Sequence, residues 1–97
     1  LMLHKVERDG VTGLYNKESF CAYALQKINS DFDHEYDMVC LEIESYHILT
    51  GKYGIKKCES SLRFLAKSYY KIKTNDMIFG RVGEAQIAIL MKHKAIE

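Results

Sequence analysis

Proline is missing altogether from these 97 residues, and cysteine occurs only 3 times, at Cys21, Cys40 and Cys58. The cysteines lie far apart, no Cys-x-x-Cys pair exists, and the odd count excludes a complete disulfide framework. Local periodicity marks each of them as buried, so the expectation is three reduced core thiols in a cytosolic protein. A charge excess of either sign is also missing, the formal balance being +1. A nucleic-acid binder carries a basic excess or a concentrated stripe, which excludes nucleic acid as the main partner. The lysines of the second expected helix region (Lys52, Lys56, Lys57, Lys67, Lys71 and Lys73) are interleaved with Glu59 and serines and read as a solvated face. No run is long or apolar enough to span a bilayer, and no signal peptide is visible, so this segment is expected to make no membrane contact. The lack of proline, with an abrupt start and stop, reads as a segment cut from a longer polypeptide.

What is present is ordinary for a folded domain. Hydrophobic residues make up 47% and charged residues 28%, a balance that excludes disorder and suits one small domain with one modest core. No internal repeat or low-complexity tract appears. The stretch that organises the chain is residues 77–91, where two apolar runs flank a short polar centre at Gly83-Glu84. This pattern predicts a β-hairpin, with glycine supplying the positive φ of a tight two-residue turn. The run from Ile87 to Met91 is apolar at every position, which predicts a strand buried on both faces.

Upstream, residues 1–8 read as the end of an incoming linker helix, and residues 9–97 as the domain itself. Two glycines make residues 9–14 a loop. Asn16 is a good N-cap, with Glu18 in the first turn, and Phe20, Cys21, Ala24, Leu25 and Ile28 recur at helical spacing to about Ser30. Residues 38–46 read as a strand whose alternation places Glu42 and Glu44 on one face. Gly51 and Gly54 mark a loop, after which Ile55, Cys58, Leu62, Leu65, Ala66, Tyr69 and Ile72 form the stripe of a second helix. Tyr69 and Tyr70 read as core and rim of that helix. The expected order is helix, strand, helix, strand, strand. That order predicts an α+β, ferredoxin-like sheet, with the first strand beside residues 87–91, parallel to a hairpin strand, and Glu42 close to the hairpin tip. An RNA-recognition sheet of the same order would need aromatics where Glu42 and Glu44 stand. His4, His34, His47 and His93 show no ligand spacing.

Three blocks carry a resemblance. Asp9-Gly10-Val11-Thr12-Gly13-Leu14-Tyr15-Asn16-Lys17 resembles the Asp-x-Leu-Thr-Gly-Leu-x-Asn-Arg signature that opens GGDEF domains, the bacterial diguanylate cyclases. Leu41-Glu42-Ile43-Glu44-Ser45-Tyr46-His47 is similar to that family's Asp-x-Asp-x-Phe-Lys strand end, and Gly54 and Glu59 fall where its Gly-His and Gly-Asp pairs lie. Arg81-Val82-Gly83-Glu84-Ala85-Gln86-Ile87 stands where the family has Arg-Tyr-Gly-Gly-Asp/Glu-Glu-Phe. The spacing between blocks is kept without a gap.

The resemblance implies a partial GGDEF fold of the nucleotidyl-cyclase type, in a family that joins two GTP molecules into cyclic di-GMP across a dimer. It implies Glu42 and the Ile43 carbonyl as metal ligands, and Thr50 and Glu59 at the base-reading positions. The motif positions are Gly83, Glu84, Ala85, Gln86 and Ile87. Several of these depart from the family. Ala85 stands in place of a metal-binding carboxylate, and its methyl has no lone pair for Mg²⁺, which requires oxygen ligands in octahedral geometry. Gln86 is uncharged, Glu84 replaces a glycine, Thr50 replaces an Asn, and His47 replaces a Lys. The upstream Arg-x-x-Asp product-inhibition motif would fall at residues 74–77, and neither end matches. The expectation is therefore a degenerate GGDEF domain of a bacterial signalling protein, without confident catalytic residues or a cofactor, and with Mg²⁺ only if activity remains. The expected partners are a weakly held guanine nucleotide, a second copy, and other domains of the same polypeptide, itself cytoplasmic or the cytoplasmic part of a membrane-bound protein. The alternative is an active cyclase with shifted metal ligands, Glu84 taking the lost role.

Overall fold

A computed structural model describes residues 6–94. The elements are α1 (Lys17–Ser30), β1 (Tyr36–Glu42), α2 (Tyr46–Tyr53), α3 (Ile55–Tyr70), β2 (Ile78–Gly83) and β3 (Gln86–Lys92). The helix expected over residues 1–8 lies mostly outside the described residues, and residues 6–8 are not helical; Arg8 instead bridges to Tyr15.

The start of α1 follows from its cap: the Asn16 side-chain oxygen accepts the Ser19 amide at 2.9 Å, and Glu18 sits in the positive first turn. Phe20 and Ala24 of this helix pack on Ile78, Ala88 and Leu90, one face of the sheet. Leu62 and Ala66 of α3 pack on Phe79, Ile87 and Ile89, the other face, together with Leu14 and Met77. The strand β3 is thus covered on both sides, as its unbroken apolar run implies. Gly80 lets α1 approach: a Cβ there would meet the Phe20 Cβ at 2.5 Å.

The sheet order is β1-β3-β2, antiparallel throughout. β1 does lie beside β3, but the parallel pairing expected from sequence is not formed. β1 and β2 run the same way, and the returning hairpin strand inserts between them. β1 also begins earlier and ends earlier than expected, at Tyr36 and Glu42. Its end is forced by Ser45, which adopts φ 58, ψ 34, so that the chain turns sharply and Tyr46 opens α2 instead of closing the strand. Glu44 therefore lies off the strand, and the shared-face argument for Glu42 and Glu44 fails.

α2 itself read as a loop because of Gly51 and Gly54. Gly54 in fact ends it at φ 89, its amide donating to the Thr50 carbonyl, while its own carbonyl accepts the Cys58 amide of α3. Two of the three cysteines also depart from expectation: Cys21 and Cys40 are exposed and only Cys58 is buried. α1 packs over β2, not β1. Cys40, on the uncovered edge strand, and Cys21, off the narrow buried stripe of α1, are left in solvent. α3 stops at Tyr70, leaving Ile72 outside it. Tyr69 packs against the core and Tyr70 is 43% exposed.

Candidate functional site at the hairpin tip

The β2–β3 connection is Glu84-Ala85, one residue later than expected, closed by the Gly83–Gln86 pair after a bulge beyond Arg81. Gly13 and Gly54 are the described glycines with positive φ, so the turn is not the primed type that glycine was expected to supply. The Gln86 side-chain oxygen folds over Gly83, where a Cβ would make it swing aside.

Arg81 anchors the tip. Its Nη1 donates to Asp9 Oδ1 and Oδ2 at 3.2 and 3.3 Å, and its Nη2 donates to the Glu84 carbonyl at 2.6 Å. Asp9 also accepts the Thr12 amide and hydroxyl, each at 2.8 Å. The two side chains are 14% and 19% exposed. Burial alone would raise the Asp9 carboxyl, but the Thr12 hydrogen bonds and the Arg81 charge outweigh it and hold the group below its ordinary range. Arg81 thereby ties the opening loop to the hairpin. The local signals were a charged residue within an apolar strand and an aspartate three residues before a threonine, and nothing local paired the two.

Beside the tip, Glu42 closes β1 opposite Gln86, and the Ile43 amide donates to the Ala85 carbonyl at 3.0 Å. These residues, with Ser45, Tyr46, His47, Ile48 and Glu84, line an open cleft of about 510 Å³. Glu42 is thus near the tip, as expected. Glu84 Oε2 lies 3.7 Å from His47 Nε2, an exposed contact worth little. Ala85 is buried against Tyr46 and Cys58. Burial raises the Tyr46 phenol, with Arg81 opposing, and its hydroxyl has no protein partner. Ile87 is core.

The base-reading pair is not assembled here. Neither Thr50 nor Glu59 lines the cleft, and the Thr50 hydroxyl donates to the His47 carbonyl of its own helix at 3.0 Å. At the implied metal position, Glu42 stands on one side and the packed methyl of Ala85 on the other, with Glu84 lining the same cleft.

A three-stranded antiparallel sheet between helices, with a tight hairpin tip beside a carboxylate-ended edge strand, defines the class: a partial nucleotidyl-cyclase-type α+β domain. A family model described as diguanylate cyclase, GGDEF domain, matches residues 6–97. The chain belongs to the GGDEF family. No curated protein matches the sequence. Among solved structures, the GGDEF domain of DgcB from Caulobacter crescentus, in complex with c-di-GMP, aligns with TM-score 0.84 at 16% identity, over 98% of this chain and 56% of that one. The FimX GGDEF domain from Pseudomonas aeruginosa aligns with TM-score 0.81 at 22% identity, over 93% and 57%. Diguanylate cyclase SiaD, in complex with its activator SiaC from Pseudomonas aeruginosa, aligns with TM-score 0.80 at 16% identity, over 92% and 35%. The chain thus spans about half the length of the GGDEF domains it resembles.

Proposed function

We propose that this chain is part of a non-catalytic GGDEF domain that serves a regulatory, nucleotide-sensing or dimerising role in a larger bacterial signalling protein. The observation that carries the reading is Ala85, a buried methyl at the tip beside Glu42. Glu84 and Glu42 line the same cleft, and without a metal between them they repel a triphosphate by about 1 kcal/mol per close pair in water. Partner domains and proteins are a recurring context for this fold. SiaD is described with an activator, and LapD from Vibrio cholerae as an S helix-GGDEF-EAL unit bound to c-di-GMP. The proposal places the chain in the cytoplasm, engaging a second copy or an adjoining domain. Among the described residues no helix is long and apolar enough to cross a membrane.

The competing reading is an active cyclase in which Glu84 substitutes for the missing ligand, favoured by its carboxylate lining the cleft with Glu42. Incubating the protein with GTP and Mg²⁺ and scanning for cyclic di-GMP by mass spectrometry separates the two. Product at the level of a no-protein blank supports the regulatory reading. Product above that blank, lost in Glu42→Ala and Glu84→Ala, establishes the enzyme.

A further inference from the structure

The strand β1 is hydrogen-bonded on one side, to β3, and among the described residues no strand pairs with its other edge. The Ile43 amide donates to the Ala85 carbonyl, and the His93 amide to the Glu35 carbonyl, so the odd-numbered residues of β1 serve the β3 ladder. The amides and carbonyls of Tyr36, Met38, Cys40 and Glu42 therefore point to the free edge. Folded proteins commonly blunt such an edge with proline, lysine or a bulge. β1 has none of these: its 7 residues, Tyr-Asp-Met-Val-Cys-Leu-Glu, pair with β3 in unbroken register. Its middle is open on both faces, Met38 being 58% and Val39 39% exposed, with Cys40 exposed between Val39 and Leu41. Alternation puts Met38 and Cys40 on the α1 side with Tyr36, and Val39 on the α3 side with Leu41.

We infer that this edge pairs with the same edge of a second copy of the chain, antiparallel about a twofold axis at Val39, to give a continuous six-stranded sheet. The register follows from the free groups. Tyr36 faces Glu42, Met38 faces Cys40, Val39 faces itself, and every outward amide and carbonyl of β1 finds a partner. A slip of one residue would oppose groups that β3 already holds, and a slip of two would leave one end of each strand unpaired. Charge agrees with that register. Asp37 faces Leu41, so no two carboxylates stand opposite each other. Glu42 faces Tyr36, which lies beside Lys92 of β3, so each Glu42 is carried towards the Lys92 of the other copy. The Lys92 ammonium, 3.5 Å from Asp76 Oδ1, has donors left for that carboxylate. Pairing also withdraws the exposed Met38, Val39 and Cys40 of both copies from water. The two Glu42 residues fall at opposite ends of the shared ladder, so this contact does not bring two hairpin tips face to face. The inference rests on the dimerising part of the proposed function and supplies its surface and its partner.

Sedimentation equilibrium of the 97-residue protein, reduced and without nucleotide, is the first test, and a mass twice 11.2 kDa is expected at micromolar concentration. Val39→Lys sets two ammonium groups opposite each other and should weaken association at least tenfold. Phe64→Lys, at an exposed position of α3, should leave it within twofold. Circular dichroism establishes that each variant is folded, and a disulfide reads the register even if one is not. In a Cys21→Ser, Cys40→Ser background, Val39→Cys should link two copies on mild oxidation. Residue 39 faces itself there in a non-hydrogen-bonded pair, with Cα atoms about 4.5 Å apart. Asp37→Cys, facing Leu41, should stay unlinked. A monomeric mass, a dimer that folded Val39→Lys leaves intact, or equal linking at positions 37 and 39 would each overturn the inference. A cyclase assay that gives product leaves the edge pairing intact, and a monomeric mass leaves the non-catalytic reading intact, so the two fail separately.

Discussion

At the guanidinium of Arg81 two distant parts of the chain meet, the Asp9 carboxylate from the opening loop and the Glu84 carbonyl from the hairpin turn. Removing Arg81 would leave Asp9 partly buried without its charge partner and the turn without its tie. Arg81→Ala is expected to lower stability by about 1–3 kcal/mol, read from urea midpoints. The pH dependence has a definite sign. The folded-state Asp9 carboxyl titrates below its unfolded value, so its contribution is fully present above roughly pH 4 and is lost as pH falls through the depressed value. Arg81→Ala, which removes part of the cause, should lose less stability on acidification than wild type. His93 runs the other way. Its hydrogen bond to Asp37 at 2.8 Å raises it, so any stability it adds is present below roughly pH 6.5 and fades as pH rises through the raised value. A stability profile that keeps rising through neutral pH in wild type but not in His93→Gln would contradict this.

Among the elements, α1 depends on two positions that are easily tested. Asn16→Ala removes the cap and should cost about 1 kcal/mol. Gly80→Ala pushes a methyl into the Phe20 ring and should cost about 1–3 kcal/mol by overpacking, with α1 displaced from the sheet. A Gly80→Ala variant as stable as wild type would show that α1 docks less closely than described. The sequence made α1, α3 and the hairpin legible, because a capped amphipathic stripe and an unbroken apolar strand are local signals. It concealed α2. Two glycines in nine residues contradict helix propensity, and Tyr46 continues the apolar pattern of β1. The break at Ser45 rests on a left-handed backbone in a residue that rarely adopts one, and the next residue, Tyr46, is buried with Ala85 and Cys58. The turn was misplaced by one residue for a related reason. Gly83 signalled a positive φ, whereas in the structure positive φ among the described glycines falls at Gly13 and Gly54.

Across the whole molecule, the direction of β1 could not be read from element order, because nothing local specifies which hairpin strand returns to the middle of the sheet. Glu42 reaches the hairpin tip because β1 runs antiparallel to β3, which sets Glu42 opposite Gln86; a parallel pairing with β3 would have carried it to the other end of the sheet. The pairing of Arg81 with Asp9 was not legible either, because the two are 72 residues apart. The molecule presents the carboxylates Glu42 and Glu84 at the tip, while Arg8, Lys27 and Lys73 lie near the start of β2. With a methyl at Ala85, Glu42 alone is too little to hold a divalent ion at the tip. Electron paramagnetic resonance of Mn²⁺, titrated with GTP into wild type and Glu42→Ala, tests it most directly. The expected result is indistinguishable Mn²⁺ spectra for the two proteins; an immobilised Mn²⁺ signal present in wild type and lost in Glu42→Ala would contradict the account.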